Sequence, residues 1–270
     1  MFWFCLNDLV KIYYNALVLV TYLRGIRMKH ILISNDDGID SIGLIALKRA
    51  LEGLGALYIV APESNRSGIS KALQMFSLKI KQIVLDDGSI AYAINGTPAD
   101  SYFIFRYKIF HRDPDLVVSG INLGCNVGVG DILTSGTIGV ALEAGLHGVP
   151  AIAVSLCVNP EKKLSLTLDD FNVAMRIVRQ VAERVLIKGM PHSIHLISIN
   201  VPENPQGIEI TKPAWYVYGD VYVDNGDGTY SAARSKTDIY NNFGESNSDI
   251  NAVFRKNFIS VSYTHLRAHE

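Results

Sequence analysis

Short, continuous apolar segments alternate with helical segments along most of this chain. Four of the apolar segments read HILIS, ALYIVAP, DLVVSG and VPAIAVSL. Strands that are apolar on both faces are typical of parallel sheets covered by helices on both sides. The repeated order of strand and helix therefore predicts an α/β fold with three layers and a mostly parallel central sheet.

Start and stop signals mark several of the helices. SIGLIALKRALEGLG ends at a glycine, and Thr97, Pro98 and Asp100 have the spacing of a helix start with a capping box. Between Leu168 and Leu186 the apolar residues recur at helical spacing. We therefore expect helices in all three places, and a further helix over VALEAGLHG after a glycine-rich stretch.

The pattern changes beyond Pro202. WYVYGDVYVDNGDGTYSAARS alternates aromatic or β-branched residues with others around a turn rich in Asn, Asp and Gly, which predicts a β-hairpin. An isolated hairpin is only marginally stable in water. The hairpin is therefore expected to pack either against a second subunit or along the edge of its own domain.

Residues 1–27 are apolar and aromatic, but Asp8, Lys11, Asn15 and Arg24 interrupt them. They lack the roughly 18 uninterrupted apolar residues of a spanning helix, and they lack the basic start and cleavage site of a secretory signal. Met28 then opens the first strand segment. We expect residues 1–27 to be translated upstream sequence outside the core, with a membrane-surface helix as the alternative.

Charge and cysteine content limit the partners. The net charge is −1 over 270 residues, and no dense run of Lys and Arg suits a phosphate backbone, so a polymeric nucleic acid is not expected. Cys5, Cys125 and Cys157 are far apart in sequence and form no CxxC pair. This pattern predicts no disulfide framework and suits a reducing cytoplasm.

Oxygen-bearing side chains follow several of the predicted strands. Asp36 and Asp37 come directly after the first strand, Ser67 follows the second, and Asn122 and Asn126 follow DLVVSG. The carboxyl ends of parallel strands meet at one edge of a sheet, and an all-oxygen set suits Mg²⁺ or Mn²⁺ better than zinc. The alternative is a solvated turn in which the two aspartates cap the following helix.

A second group of small residues could bind an anion. Ser135, Gly136 and Thr137 stand at a predicted helix start, where free N–H groups favour a phosphate, although ordinary N-capping explains such residues more often. The chain has no GxxxxGK[ST], GxGxxG or GxSxG motif. This argues against a P-loop NTPase, a simple NAD enzyme and a serine hydrolase.

Five motifs occur in a characteristic order: ILISNDDGIDSIG, VAPESNRSG, NGTPADS, PDLVVSGINLGCNVG and SGTIGVALEAGLHGVPAIAVS. In these motifs the chain closely resembles the SurE family of metal-dependent nucleotidases, from Met28 to about Val201. The resemblance implies a Rossmann-like α/β core and hydrolysis of nucleoside monophosphates, with 5'-nucleotidase activity first and 3'-nucleotidase or exopolyphosphatase activity as additions. A non-catalytic nucleotide or polyphosphate sensor is the alternative.

The resemblance also implies the residues of the site. One divalent cation, Mg²⁺ or Mn²⁺, would be held by Asp36, Asp37, Ser67 and Asn122, of which the two aspartates would be catalytic. The phosphate would be lined by Asn126, Ser135, Gly136 and Thr137.

Four regions are predicted from these observations together. They are an extension at 1–27, a catalytic core at 28–202, a hairpin and oligomerisation arm at 203–262, and an atypical tail at 263–270. The tail departs from the family, because YTHLRAHE replaces the usual Thr-Pro-Leu type ending. The resemblance implies a homodimer or homotetramer that assembles through the arm. We further expect a cytoplasmic protein with no membrane partner.

Overall fold

The structure is a computed structural model that describes residues 27–191, 193–216, 218–232 and 245–264. Its strands are β1 (His30–Ser34), β2 (Ala56–Pro62), β3 (Ile80–Val84), β4 (Ile90–Ile94), β5 (Leu116–Leu123), β6 (Ala151–Cys157), β7 (Leu196–Pro202), β8 (Gly207–Thr211), β9 (Tyr222–Asp224), β10 (Tyr230–Ala232) and β11 (Phe258–Thr264). Its α-helices are α1 (Ile42–Leu51), α2 (Pro98–Ile104), α3 (Gly128–Thr134), α4 (Gly136–Leu146) and α5 (Asn172–Lys188).

Nine strands form one sheet in the order β3-β4-β2-β1-β5-β6-β7-β11-β8. Neighbouring strands are parallel except for the pairs β3 with β4 and β7 with β11. The antiparallel pair β9 and β10 forms the predicted hairpin. The α/β fold with a mostly parallel sheet and a C-terminal hairpin is therefore confirmed.

The core lies on both faces of the sheet, as the three-layer prediction requires. On β1, Ile31 and Ile33 pack with α1 and α5 on one face, whereas Leu32 packs with α2 and α4 on the other. All three side chains are fully buried. Successive side chains of a strand point to opposite faces, so a strand covered on both sides must be apolar throughout.

The helix boundaries follow local signals. Thr97 accepts a hydrogen bond from the Asp100 N–H, and the Asp100 carboxylate accepts one from the Thr97 N–H, which confirms the capping box of α2. The helix α3 was not predicted. It lies inside the glycine-rich stretch and begins at Gly128, which adopts a φ of +70°.

The C-terminal region contributes to the main sheet. Strand β11 lies between β7 and β8, and its residues Tyr263 and Thr264 pair with Ile197 and Leu196 of β7. The predicted boundary at residue 202 lies at the end of β7. The predicted boundary at residue 263 lies inside β11. The predicted arm at 203–262 combines two strands of the core sheet with the separate hairpin.

Cys125 and Cys157 form a disulfide, with their Cα atoms 4.6 Å apart. The prediction of no disulfide was therefore wrong. The two cysteines are 32 residues apart in sequence, but β5 and β6 are neighbours, with Leu123 aligned to Leu156. Sequence distance did not reveal this proximity, and the cysteine pattern no longer supports a reducing compartment.

Two predicted regions lie outside the described residues: the extension, apart from Arg27, and residues 265–270 of the tail. Among the helices that are described, none is long and apolar enough by itself to cross a membrane. The pair α3 and α4 would pass such a test only in combination, and it is bent by 76°.

Candidate active site

The turn after β1 presents two aspartates at the carboxyl edge of the sheet. Asn35 shapes this turn, because its Nδ2 donates to the Gly38 carbonyl at 3.0 Å and its Oδ1 accepts from the Gly38 N–H at 3.2 Å. The helix α1 is capped by Ser41, whose hydroxyl accepts from the Leu44 N–H at 3.2 Å. The alternative in which Asp36 and Asp37 cap this helix is therefore wrong.

Asp36 is buried and lies against the start of α4. The hydroxyl of Thr137 donates a short hydrogen bond to Asp36 Oδ1. A Cβ on Gly136 would lie only 2.7 Å from the Asp36 Cβ and 3.0 Å from Oδ2, so the absence of a side chain allows this close approach. The structure thus brings Asp36, Gly136 and Thr137 together.

Asp37 faces the end of β5. Its Oδ2 accepts from the Leu123 N–H at 3.3 Å, and the neighbouring Asn122 donates from Nδ2 to the Gly124 carbonyl at 2.7 Å. Asp37 is therefore bound to the residue that follows Asn122, at the junction of β1 and β5, which are parallel neighbours in the sheet.

The loop after β2 reaches the same turn. The N–H of Arg66 donates to the Asp36 carbonyl at 2.7 Å, which places Ser67 one residue from the turn. Ser67 itself is exposed, and its N–H donates to Asn65 Oδ1 at 2.9 Å. Three chain segments thus converge around the two aspartates, as strand order predicted.

Two of the residues predicted to line the phosphate, Asn126 and Ser135, form hydrogen bonds within the protein. Asn126 donates from Nδ2 to the Ser155 hydroxyl at 2.9 Å, and its N–H donates to Asn200 Oδ1 at 2.8 Å. Ser135 caps α4, with its hydroxyl accepting from the Ile138 N–H at 3.1 Å. For Ser135, the N-capping alternative is therefore confirmed.

Burial dominates the electrostatics of the aspartate pair. Burial, opposed by the Thr137 hydrogen bond and reinforced by the adjacent charge of Asp37, raises the pKa of Asp36 from 3.8 to about 6. The pKa of Asp37 is also raised by burial, whereas the Leu123 N–H and the charge of Lys163 lower it. A cation between the two carboxylates would relieve this cost.

This chemistry fits a hard divalent cation. The predicted ligand set consists of two carboxylates, a serine hydroxyl and an amide, and all four groups offer oxygen. Within the described ranges, no cluster of three or more His, Cys, Asp or Glu side chains could hold a metal. A cation here would accordingly depend on neutral oxygens as well as on Asp36 and Asp37.

Lys163 was not among the predicted site residues, and Thr137 was expected to contact the phosphate, whereas in the structure it contacts Asp36. Lys163 belongs to no motif and lies on a short 3₁₀ segment, Pro160–Ser165. No local signal could have found its proximity to Asp37. The Thr137 contact spans 101 residues of sequence, so spacing could not predict it.

The pKa of Asp36 leads to a prediction about stability without metal. Between pH 4 and about 6 the folded protein holds a proton that the unfolded chain has lost, so stability should fall as pH rises through this range. The rise from 3.8 to about 6 corresponds to about 3 kcal/mol of unfolding free energy. Urea unfolding in EDTA at several pH values measures this fall in unfolding free energy.

Asp36→Asn is the matched variant for that measurement. It has no carboxyl group to ionise, so its unfolding free energy should change less over the same pH range than that of the wild type. An equal fall in both proteins would show that other groups cause the pH dependence.

The sequence model described as "Survival protein SurE" matches residues 31–220 of this chain. The chain belongs to the SurE family. This match includes every predicted site residue, from Asp36 to Thr137.

Several SurE relatives are similar over most of the chain. The 5'-nucleotidase SurE of Methanothermobacter thermautotrophicus is 45% identical over 184 residues, which cover 67% of this chain and 70% of the relative. The 5'-nucleotidase SurE of Methanosarcina acetivorans is 37% identical over 248 residues, covering 86% and 90%. The crystal structure of SurE from Aquifex aeolicus superimposes with a TM-score of 0.69 at 28% identity, covering 89% of this chain and 95% of that one.

Proposed function

We propose that this SurE protein is a metal-dependent 5'-nucleotidase that hydrolyses nucleoside 5'-monophosphates to nucleoside and phosphate. The observation that carries the proposal is the adjacent pair of a buried Asp36 and a partly buried Asp37 at the sheet edge, beside the start of α4. Relatives that are 35–45% identical bear the name 5'-nucleotidase, which supports the same reaction.

We propose Asp36, Asp37, Ser67 and Asn122 as ligands of one divalent cation, Mg²⁺ or Mn²⁺. When bound, such a cation supplies positive charge to a phosphate ester as its bond breaks. The fit rests on the oxygen-only set and on the cost of burying two carboxylates side by side.

The protein's own groups would perform the remaining steps. Asp36 or Asp37 would orient the attacking water. The Thr137 hydroxyl holds Asp36 in one orientation, and the first turn of α4 directs backbone N–H groups towards this edge of the sheet. Attack by an aspartate, through a covalent aspartyl-phosphate, is the alternative mechanism.

Phosphate release from a panel of nucleotides tests this proposal. The purified protein should hydrolyse 5'-monophosphates with added Mn²⁺ or Mg²⁺, and exhaustive chelation with EDTA should abolish the activity. Adding 3'-monophosphates and polyphosphate to the panel tests the two additional activities.

Two results would contradict the proposal. Activity that survives chelation would remove the metal requirement. Binding of monophosphates without turnover of any of them would favour a nucleotide sensor over an enzyme.

The hairpin supports a further proposal, that the protein assembles as a homodimer or homotetramer. Three large apolar or aromatic side chains on β9 and β10 are mostly exposed, namely Tyr222 at 60%, Val223 at 52% and Tyr230 at 64%. Covering them with a second copy would stabilise an otherwise marginal hairpin. We also propose 28–202 as the catalytic core, with no nucleic-acid or membrane partner. We propose the cytoplasm as the compartment on the similarity to other SurE proteins, and not on the cysteines, since Cys125 and Cys157 form a disulfide.

A further inference from the structure

Lys163 lies beside the candidate active site but belongs to none of its motifs. The residue is partly buried, on the 3₁₀ segment after β6. Its Nζ is 3.7 Å from the position that a Cβ would occupy on Gly124. This distance places the ammonium group beside the Gly124 backbone.

This position is next to the groups that face Asp37. Gly124 follows Leu123, whose N–H donates to Asp37, and the Gly124 carbonyl accepts from Asn122. The Lys163 ammonium group therefore lies beside the backbone segment that contacts both Asp37 and Asn122.

Neighbouring cations are already paired with other groups. Lys162 forms an ion pair with Glu203 at 2.6 Å, and Arg66 donates from Nη2 to the Asn95 carbonyl at 3.1 Å. Within the part of the chain that the structure describes, the Lys163 ammonium forms no hydrogen bond and no ion pair within 4 Å. Its charge is thus available to a ligand.

The charges of the proposed reaction leave a role for such a group. A divalent cation offsets the two negative charges of Asp36 and Asp37, and a phosphate monoester then adds about −1.5 to −2 at neutral pH. A lysine ammonium is a common point-charge partner of phosphate. Because the cation and the two carboxylates together carry no net charge, a further positive group is needed to offset the charge of the bound phosphate.

We propose that Lys163 is a substrate-binding residue that holds the phosphate group of the nucleotide at the open side of the site. This rests on the proposed function. A phosphate bound there would contact the cation, the start of α4 and the Lys163 ammonium group. These groups would together offset its negative charge. The ligand chemistry is that of a phosphate dianion, and free inorganic phosphate should bind in the same way.

The test compares Lys163→Gln with Lys162→Gln in the full chain. We expect Lys163→Gln to raise KM for the monophosphate and the inhibition constant of inorganic phosphate by about tenfold each, with kcat changed less than about threefold. Lys163→Arg should restore most of the affinity. Lys162→Gln, which removes a neighbouring charge of the same kind, should behave as wild type.

Metal affinity separates this role from a structural one. Removing a positive charge near Asp37 should leave Mn²⁺ affinity unchanged or increase it, as measured by thermal melts without phosphate. A variant that binds both Mn²⁺ and phosphate more weakly would be structurally damaged, and this result would overturn the proposal. Equal phosphate affinities in Lys163→Gln and wild type would also overturn it.

Failure of the proposed function would be recognised separately. If the wild type turned over no monophosphate, calorimetric titration of the Mn²⁺-loaded protein with inorganic phosphate would still compare the two lysine variants. Weaker phosphate binding by Lys163→Gln alone would support the binding role even then, and equal binding by both variants would refute it.

Discussion

Asp36→Asn and Asp37→Asn are each expected to lower the turnover number by about 10² to 10³, the usual loss for one preorganised electrostatic group. Each change removes one negative charge from a pair that lies at one turn, with Asp36 buried and Asp37 partly buried. The metal-free protein then loses repulsion, so its unfolding free energy should stay level or rise. The stabilisation by added Mn²⁺ should shrink, because it depends on the ratio of metal concentration to Kd.

Asp40→Asn is the matched control for both variants. Asp40 is an exposed carboxylate on the same turn, and the same charge is removed there. Its turnover number and its response to Mn²⁺ should equal those of the wild type. If all three variants kept full activity, the aspartate pair would have no catalytic or metal-binding role.

Gly43→Ala is expected to reduce the unfolding free energy by about 3 kcal/mol, the upper part of the usual range for an overpacked core. Gly43 lies in the first turn of α1, and a Cβ there would be 2.0 Å from the backbone carbonyl oxygen of Ile121. Because this neighbour is backbone, the helix must move away from β5. Turnover should fall as well, since Asn122 follows Ile121 directly.

Gly43→Ala is expected to destabilise the protein, and this direction distinguishes a closely packed helix from an open one. Urea unfolding measures the change in unfolding free energy. At an open helix position, replacing glycine with alanine stabilises by about 1 kcal/mol, because alanine has the higher helix propensity. Arg49→Ala, on the exposed face of α1, should change stability by less than about 0.5 kcal/mol. A Gly43→Ala protein as stable as the wild type would show that α1 does not pack this closely on β5.

Local patterns were sufficient to predict the strands nearest the site. In β1 and β5 the apolar segments are continuous because both faces are covered, and this requirement is visible in a few residues. The capping box at Thr97 was predictable for the same reason, since both of its hydrogen bonds join residues only three positions apart.

The aspartates could be placed at the sheet edge, but their contacts could not be predicted. Strand order alone locates Asp36 and Asp37 at the carboxyl end of β1. Which groups face each carboxylate depends on helix docking, and the partners are Thr137 for Asp36 and Leu123 for Asp37. Ser135, assigned to phosphate from its position alone, caps α4 with its hydroxyl.

The sequence by itself determined the order of strands and helices, the family, and the turn that carries the two aspartates. Only the tertiary structure decided that β11 inserts between β7 and β8, that Cys125 bonds Cys157, and that Lys163 lies beside Gly124. The physical reason is that burial and backbone preference are encoded within a few neighbouring residues. The choice of a distant partner is decided by packing summed over the whole sheet, and no short segment contains that sum.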